Sequence, residues 1–306
     1  MAGVRCDDYR RSSVFGPPLV TEVEIMKETY RAGRVVAERA AREAGSLLLG
    51  LYGKVEAREK RPGDLVTEAD SASQRLIAAI LGEAFPDHTL LAEEDGVEPD
   101  PENPWRWVVD PLDGTINFAH GFPFWCVSIA LEHAGELVVG VIHDPIAGRT
   151  FGATRGEGAV VDGRPMHVSS AAKLRQSLIS AGLPTAFEAD ADRQLALMAR
   201  MSTGTHSVRR TGSTALNLAY VAAGAFDVYY ATSIQPWDVA AGVVLVREAG
   251  GNVTLPGGDA YDMYRRAILA TNGKVHDESV RALGEAWPPG RRGESVFRVV
   301  DGWGIS

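Results

Sequence analysis

The alternation of apolar and polar positions predicts long helices in the first part of the chain. Residues 22 to 51 are rich in Ala, Glu, Arg and Leu, with opposite charges at helical spacing, which predicts one long helix. A second helix is predicted to begin near Thr67 or Asp70 and to end before Phe85-Pro86, because the residue that precedes a proline avoids helical backbone. A short strand is predicted over Thr89–Ala92, directly before two glutamates.

The middle of the chain has the pattern of a β-meander, and the remainder alternates strands with helices. Strands are predicted over residues 124–132, 136–143, 149–153 and 158–161, with a hairpin signal at His133-Ala134-Gly135. Further strands are predicted over 177–182 and 226–231, and helices over 190–201, 213–223 and 239–249. This mixture predicts an α/β fold with alternating layers of helices and mixed, largely antiparallel sheets.

The composition along the chain suggests where the domain begins and ends. We expect an N-terminal extension over residues 1–20, one domain over 21–286 with two subdomains that divide near residue 175, and an irregular C-terminal tail over 287–306. A chain of 306 residues is long enough to bury a sizeable core in such a domain.

Composition and charge exclude several classes of protein. Hydrophobic residues make up 45% of the chain, and no apolar run approaches the length of a membrane-spanning helix, so we expect no membrane partner. The two cysteines, Cys6 and Cys126, form no disulfide framework, which favours a reducing cytoplasm. A net charge of -9 argues against nucleic-acid binding, which needs clustered Lys and Arg.

The stretch from Asp110 to Thr115 carries the strongest chemical signal. It follows the apolar run 105–109, which predicts a buried strand that ends at Asp110 and a turn at Pro111, since proline cannot donate to a sheet ladder. Two carboxylates this close together offer oxygen ligands for Mg²⁺, Mn²⁺ or Ca²⁺ rather than Zn²⁺. Gly114 allows close backbone approach, and amides at a following helix start suit an anion. Taken alone, both aspartates also fit a turn-forming role.

Three other acidic segments sit where a strand ends or a helix begins. Glu93 and Glu94 follow a strand, although such a pair is also typical of a solvated loop. Asp238 precedes a helix of small apolar residues, where an N-cap is the ordinary explanation. Thr67 and Asp70 are spaced like a capping box, with Asp in place of the usual Glu.

Together these segments resemble the inositol monophosphatase family, in the family's order and from about residue 25 to residue 285. The matching motifs are Asp64-Leu-Val-Thr67-Glu-Ala-Asp70, Glu93-Glu94, Asp110-Pro-Leu-Asp113-Gly-Thr115-Ile-Asn117-Phe-Ala-His120-Gly-Phe-Pro123, Trp237-Asp238-Val-Ala-Ala-Gly242 and Glu248-Ala-Gly-Gly251. An isolated carboxylate pair would be a weak signal, whereas this ordered set is highly specific. The resemblance implies the family's layered fold and a magnesium-dependent phosphomonoesterase.

The resemblance also implies which residues act in such an enzyme. Glu93, Asp110 and the backbone carbonyl of Leu112 would hold one magnesium, and Asp110, Asp113 and Asp238 a second. In the family, a threonine at the Thr115 position and an aspartate at the Asp70 position orient the attacking metal-activated water. The resemblance therefore implies Thr115 and Asp70 as catalytic residues, together with Glu93. Contacts to the substrate would come from Gly114, Thr115, Asp113, Gly212, Ser213, Thr214 and Asp238.

One departure from the family pattern leaves open which phosphate ester is the substrate. Inositol-selective members carry a glutamate seven residues before the Trp-Asp aspartate, where this chain has Ala231. Alanine cannot accept hydrogen bonds from sugar hydroxyls, and Thr214 stands where a smaller alanine is usual. Inositol monophosphate is the leading substrate, and the alternatives are histidinol phosphate, fructose 1,6-bisphosphate and 3'-phosphoadenosine 5'-phosphate. A non-catalytic metal- or phosphate-binding scaffold is the alternative from another class.

The resemblance further implies two or three Mg²⁺ ions per site, substitution by Mn²⁺, and inhibition by Ca²⁺ or Li⁺. It also implies a homodimer.

Overall fold

The structure is a computed structural model that describes residues 22–54, 58–61, 64–94, 100–183 and 191–286. The extension over 1–20 and the tail over 287–306 lie outside the described residues, so both remain predictions. The helices in these ranges are α1 (Glu22–Leu51), α2 (Glu68–Ala84), α3 (Thr115–Ala119), α4 (Ala191–Ser202), α5 (Thr214–Ala222), α6 (Pro236–Glu248) and α7 (His276–Ala286). No helix within them combines the length and apolar character that a membrane crossing needs.

The strands form two larger sheets and one small hairpin. The hairpin consists of β1 (Arg58–Arg61) and β2 (Asp64–Val66). The first large sheet contains, in spatial order, β3 (Thr89–Ala92), β4 (Trp105–Asp113), β5 (Cys126–His133), β6 (Glu136–Asp144), β7 (Arg149–Thr154), β8 (Ala159–Val161) and β9 (Arg164–Met166). Only its β3–β4 pair is parallel.

The second large sheet is mixed. Its strands are β10 (Leu178–Gly182), β11 (Ser207–Arg209), β12 (Val228–Thr232), β13 (Asn252–Thr254) and β14 (Ala267–Thr271), in the spatial order β11-β10-β12-β14-β13. Strand β10 is parallel to both β11 and β12, and the remaining pairs are antiparallel. The predicted mixed, largely antiparallel sheets are therefore confirmed.

Helices cover both faces of each large sheet, which explains the runs of consecutive apolar residues in the strands. On β5, Ile129 packs with α1 and α2, while the adjacent Ala130 packs with α5 and α6. On β12, Tyr229 faces α5 and α6, while Tyr230 packs in a third cluster with α4 and α7. The molecule is thus a stack of helices, sheet, helices, sheet and helices, as the alternating pattern predicts.

Helix α6 is apolar on every side because it lies between the two sheets. All its residues from Val239 to Val246 are buried. It approaches β6 so closely that a Cβ added at Gly140 would lie 2.3 Å from the carbonyl oxygen of Ala241. Helix α6, whose first turn carries Asp238, also contacts β4.

The prediction that the strand ends at Asp110 is wrong. Strand β4 continues to Asp113, and the ladder to β5 shifts register between Asp110 and Asp113. Pro111 lies in this irregular stretch, where its missing N–H disrupts no regular ladder position. The consequence is functional, because the bulge keeps both aspartates on one rigid element.

The change from the first large sheet to the second falls between Met166 and Leu178. This boundary includes residue 175, but the division into two subdomains remains a prediction. Seven elements in the described part were not predicted from the pattern, namely β1, β2, β9, β11, β13, β14 and α7. Apart from α7, each is only three to five residues long, too short to show a clear period.

Candidate metal and phosphate site

Two of the predicted acidic segments meet because β3 and β4 are parallel and in register. Ala92 of β3 pairs with Val109 of β4, so the next residues along the two strands are Glu93 and Asp110. The carboxyl ends of parallel neighbours lie at the same edge of a sheet. Glu93 is half-buried there, and Asp110 is buried.

The first turn of α6 is drawn to the same edge through β5. Ser128 pairs with Asp110 across the β4–β5 ladder, and its hydroxyl donates to the Trp237 carbonyl at 3.4 Å. Asp238 is the third residue of α6, and its Oδ2 accepts from the backbone N–H of Gln235 at 2.8 Å. It therefore caps the helix from inside the first turn rather than from the N-cap position itself.

The pKa of Asp110 indicates that three other carboxylates lie close enough to interact with it. Burial raises its pKa well above the usual range, and the negative charges of Glu93, Asp113 and Asp238 raise it further. The N–H of Leu112 donates to Asp110 Oδ1 at 3.0 Å and opposes the shift. Repulsion among buried carboxylates is what a bound divalent cation would relieve, and the donors are the oxygens that magnesium prefers.

Asp113 is held by the start of α5. Its Oδ2 accepts from the Ser213 hydroxyl at 2.5 Å and from the Ala215 N–H at 2.7 Å. Burial raises the Asp113 pKa, while these donors and the Thr214 N–H lower it. The Cys126 thiol lies 3.8 Å from the same oxygen, and its own pKa is raised well above the ordinary value by burial. It is thus a buried, protonated thiol.

Hydrogen bonds from backbone N–H groups orient the carboxylates of Asp110, Asp113 and Asp238. Within the described ranges, no three His, Cys, Asp or Glu side chains form a ready-made set of metal ligands. The oxygen-only donor set and its shared repulsion fit a hard divalent cation.

Thr115 and Asp70 meet at the side of this cluster. The Thr115 hydroxyl lies 3.0 Å from Asp70 Oδ1 and 3.0 Å from the Leu112 carbonyl oxygen. Asp70 Oδ2 accepts from the N–H and hydroxyl of Thr67 at 2.8 and 2.7 Å, so the predicted capping box is present. Burial raises the pKa of Asp70 against the effect of these bonds.

Gly114 precedes Thr115 with φ 95°, a left-handed conformation that glycine adopts without strain. A Cβ at this position would lie 3.0 Å from the Phe124 carbonyl oxygen. The segment Phe124–Trp125 can therefore pack this closely against residue 114 only because that residue is glycine.

The substrate-contacting residues predicted over 212–214 lie at the start of α5, next to Asp113. Gly212 is exposed and Ser213 is buried against Asp113. The Thr214 hydroxyl accepts from the Tyr229 hydroxyl at 2.9 Å, which occupies it within the protein. Ala231 is fully buried on β12, so no acceptor replaces the family's glutamate at that position.

Asn117 is a positioning residue to which the sequence pattern assigns no role. Its Nδ2 donates to the carbonyls of Phe124 and Thr211 at 2.7 and 2.8 Å. It thereby joins α3, the segment before β5 and the segment before Gly212. Its place inside the Asp110–Pro123 motif is the only sequence signal for this role.

Two histidines lie near the acidic segments in the sequence, and neither has a role in the predicted site. His120 is exposed, and His143 Nδ1 lies 3.0 Å from the Thr150 hydroxyl, on the side of the first sheet that faces α1. Trp107 and Trp125 are buried in the core. Arg209 and Arg210 are exposed.

Most of the chain matches proteins of one family. The model of the Inositol monophosphatase family matches residues 30–287. The chain is 42% identical over 250 residues to an inositol-1-monophosphatase from Synechocystis sp., covering 81% of this chain and 87% of that protein. It is 38% identical over 246 residues to a fructose-1,6-bisphosphatase/inositol-1-monophosphatase from Thermotoga maritima, covering 80% and 93%.

Solved structures agree. An inositol monophosphatase from Anabaena (Nostoc) sp. PCC 7120 matches with a TM-score of 0.78 and 39% identity, covering 84% of this chain and 97% of that one. The chain belongs to the inositol monophosphatase family, whose members are phosphatases.

Proposed function

We propose that this protein is a magnesium-dependent phosphomonoesterase that hydrolyses a small phosphorylated alcohol, with inositol monophosphate as its leading substrate. One observation carries the proposal. Glu93, Asp110, Asp113 and Asp238 come from distant segments and are close enough to raise the pKa of Asp110 together. Carboxylates with pKa values perturbed by burial and by neighbouring charges are typical of functional sites.

Two sets of oxygens would hold magnesium. Glu93, Asp110 and the Leu112 carbonyl form one set, and Asp110, Asp113 and Asp238 form the other. Magnesium bound there would lower the pKa of water, and it would also neutralise the charges of the phosphate and of the departing alkoxide. Because phosphoryl transfer depends mainly on positioning and charge compensation, the protein's own contribution is to orient groups around the phosphorus.

The side chains beside the carboxylates have distinct tasks in this proposal. The Thr115 hydroxyl, 3.0 Å from Asp70 Oδ1, orients the attacking water and passes its proton towards Asp70. The raised pKa of Asp70 suits it to receive a proton. The backbone N–H groups of Gly114 and Thr115 bind phosphate oxygens.

The alcohol part of the substrate would be recognised by residues other than those proposed to bind the phosphate. Inositol monophosphate is supported by the names of the relatives, and the dual name of the Thermotoga relative supports fructose 1,6-bisphosphate as a second candidate. With Ala231 in place of a carboxylate, we expect weaker discrimination among sugar alcohols. A substrate panel at fixed magnesium decides this point. A tenfold or greater preference for a nucleotide over inositol monophosphate would overturn the leading assignment.

Substitution of two ligands tests the mechanism. We expect Glu93→Gln and Asp110→Asn each to abolish magnesium-dependent hydrolysis while the protein remains folded, because each removes a charged ligand but keeps the side-chain shape. The matched control is Asp227→Asn, since Asp227 is also buried and accepts from the Leu178 N–H at 2.6 Å and from the Ser169 hydroxyl. Asp227→Asn should retain magnesium-dependent turnover.

Full activity in either ligand variant would sink the mechanism. Magnesium binding by the wild-type protein without turnover of any phosphate ester in the panel would favour the non-catalytic scaffold instead.

A further inference from the structure

The amino-terminal half of α2 contacts three separate segments of the site through three buried polar side chains. Asp70, Ser73 and Gln74 are at most 2% exposed. Asp70 contacts Thr115 on α3, Ser73 contacts the bulge of β4, and Gln74 contacts the turn after β3. Only the first of these has a role in the proposed mechanism.

Gln74 holds the peptide bond that follows Glu93. Its Oε1 accepts from the backbone N–H of Glu94 at 2.9 Å. That N–H belongs to the peptide plane that joins Glu93 to Glu94, so its orientation limits the backbone rotation of Glu93. The direction in which the Glu93 side chain leaves the end of β3 is therefore set from α2.

Ser73 holds the peptide bond between Pro111 and Leu112. Its hydroxyl donates to the Pro111 carbonyl at 2.8 Å, while the N–H of the same peptide bond donates to Asp110 Oδ1 at 3.0 Å. This peptide plane is thus fixed on both sides, by α2 and by Asp110. It lies in the bulge between Asp110 and Asp113, and its geometry determines where the next carbonyl, that of Leu112, points.

The need to pair backbone groups explains in part why these two residues are polar. Both lie on the buried side of a helix whose other buried residues include Ala69, Ile77, Ile80 and Leu81. An apolar side chain would leave the Pro111 carbonyl or the Glu94 N–H without its partner, and an unpaired polar group that stays buried lowers stability. The bonds also fix the directions of distant backbone segments, and these segments carry the proposed metal ligands.

We propose that Ser73 and Gln74 are positioning residues that pre-set the spacing of Glu93, Asp110 and the Leu112 carbonyl for magnesium. This inference rests on the proposed function, because it assigns to α2 the task of holding the ligands of that site. Groups that orient metal ligands typically change metal affinity or activity roughly 10-fold to 100-fold when removed.

The test uses Ser73→Ala and Gln74→Met in the full-length protein. Ser73→Ala removes the donor, and Gln74→Met removes the acceptor at similar volume. The matched control is Ser279→Ala on α7, since Ser279 is equally buried and its hydroxyl donates to the Val275 carbonyl at 2.8 Å. For each variant, the magnesium concentration that gives half-maximal hydrolysis of inositol monophosphate is measured, together with kcat at saturating magnesium and the metal-free Tm.

We expect Ser73→Ala and Gln74→Met to raise the half-maximal magnesium concentration roughly 10-fold or more. Ser279→Ala should leave it unchanged, whatever its effect on the Tm. If Gln74→Met does not fold, the comparison of Ser73→Ala with Ser279→Ala still decides. A shift in Ser73→Ala no larger than that in Ser279→Ala overturns the positioning role while the proposed function stands. A wild-type protein without magnesium-dependent hydrolysis overturns the proposed function and this role together.

Discussion

Single residues determine what the carboxylate cluster can do, and Thr115 is the clearest example. Its hydroxyl is the point where the side chain of Asp70 meets the backbone of Leu112, at 3.0 Å from each. A hydroxyl has one hydrogen, so it donates to one of these oxygens at a time. When it donates to Asp70, a lone pair is left to orient a water.

Removal of this hydroxyl should slow the chemical step. We expect Thr115→Val, which keeps the shape of the side chain, to lower kcat at least about 100-fold, the lower end of what a positioned proton-transfer group contributes. Loss of one hydrogen bond should lower stability by only about 1 kcal/mol. The control, Thr115→Ser, keeps the hydroxyl and should keep most of the activity. Wild-type kcat in Thr115→Val would show that the Thr115–Asp70 pair has no part in the reaction.

At this scale, the sequence predicted the acids but not the groups that hold them. Asp110, Asp113, Glu93 and Asp238 are recognisable from their positions in motifs. Ser73 is not, because its bond to the Pro111 carbonyl joins residues that are 38 apart in the chain. A contact of this kind depends on how α2 packs on β4, which periodicity within either element does not report.

Elements hold the site in place through close backbone approach, most clearly where α6 lies on β6. A Cβ at Gly140 would meet the Ala241 carbonyl at 2.3 Å, a contact with rigid backbone that no side-chain rotation can relieve. The helix fixed by this contact carries Asp238 in its first turn.

Gly140→Ala should therefore destabilise the protein, by about 1–3 kcal/mol as is usual for overpacking in a core. Gly82→Ala is the matched control, because Gly82 lies in α2 and a Cβ there meets nothing within 4 Å. Alanine at this helical position should raise stability by about 0.4–1 kcal/mol. Chemical denaturation of both variants measures the difference, and equal stabilities would show that α6 does not approach β6 this closely.

An element could be predicted from the sequence where its pattern is long and local, and could not where it depends on a partner strand. Helix α1 covers the predicted residues 22–51, because thirty residues of helical pattern leave little ambiguity. Strand β4 runs past its predicted end because the partner strand β5 supplies ladder bonds beyond Pro111. The short strands β13 and β14 depend almost entirely on such partners, and the local sequence carries little sign of them.

For the whole molecule, the layered fold provides the rigid frame in which buried like charges can be held together. Two unit charges about 4 Å apart repel by about 4 kcal/mol at an effective dielectric near 20. The five layers supply the stability that offsets this repulsion when the site holds no cation.

Magnesium should consequently stabilise the fold. At a concentration of about 100 times the Kd, a ligand that binds only the folded state adds about 2.7 kcal/mol, which corresponds to a Tm rise of roughly 4 °C for a protein of this size. Asp110→Asn should reduce this rise and melt no lower than the wild type in the absence of metal, because it relieves the repulsion. An unchanged melting curve in saturating magnesium or calcium would count against a clustered site.

Release of inorganic phosphate from inositol monophosphate by the purified protein, as magnesium is raised from zero to saturation, tests the proposed enzyme most directly. We expect no release in a chelator, a saturable increase with magnesium, and no increase in Asp110→Asn. Release that is unaffected by a chelator, or no release from any phosphate ester at saturating magnesium, would contradict a magnesium-dependent phosphatase site at Asp110.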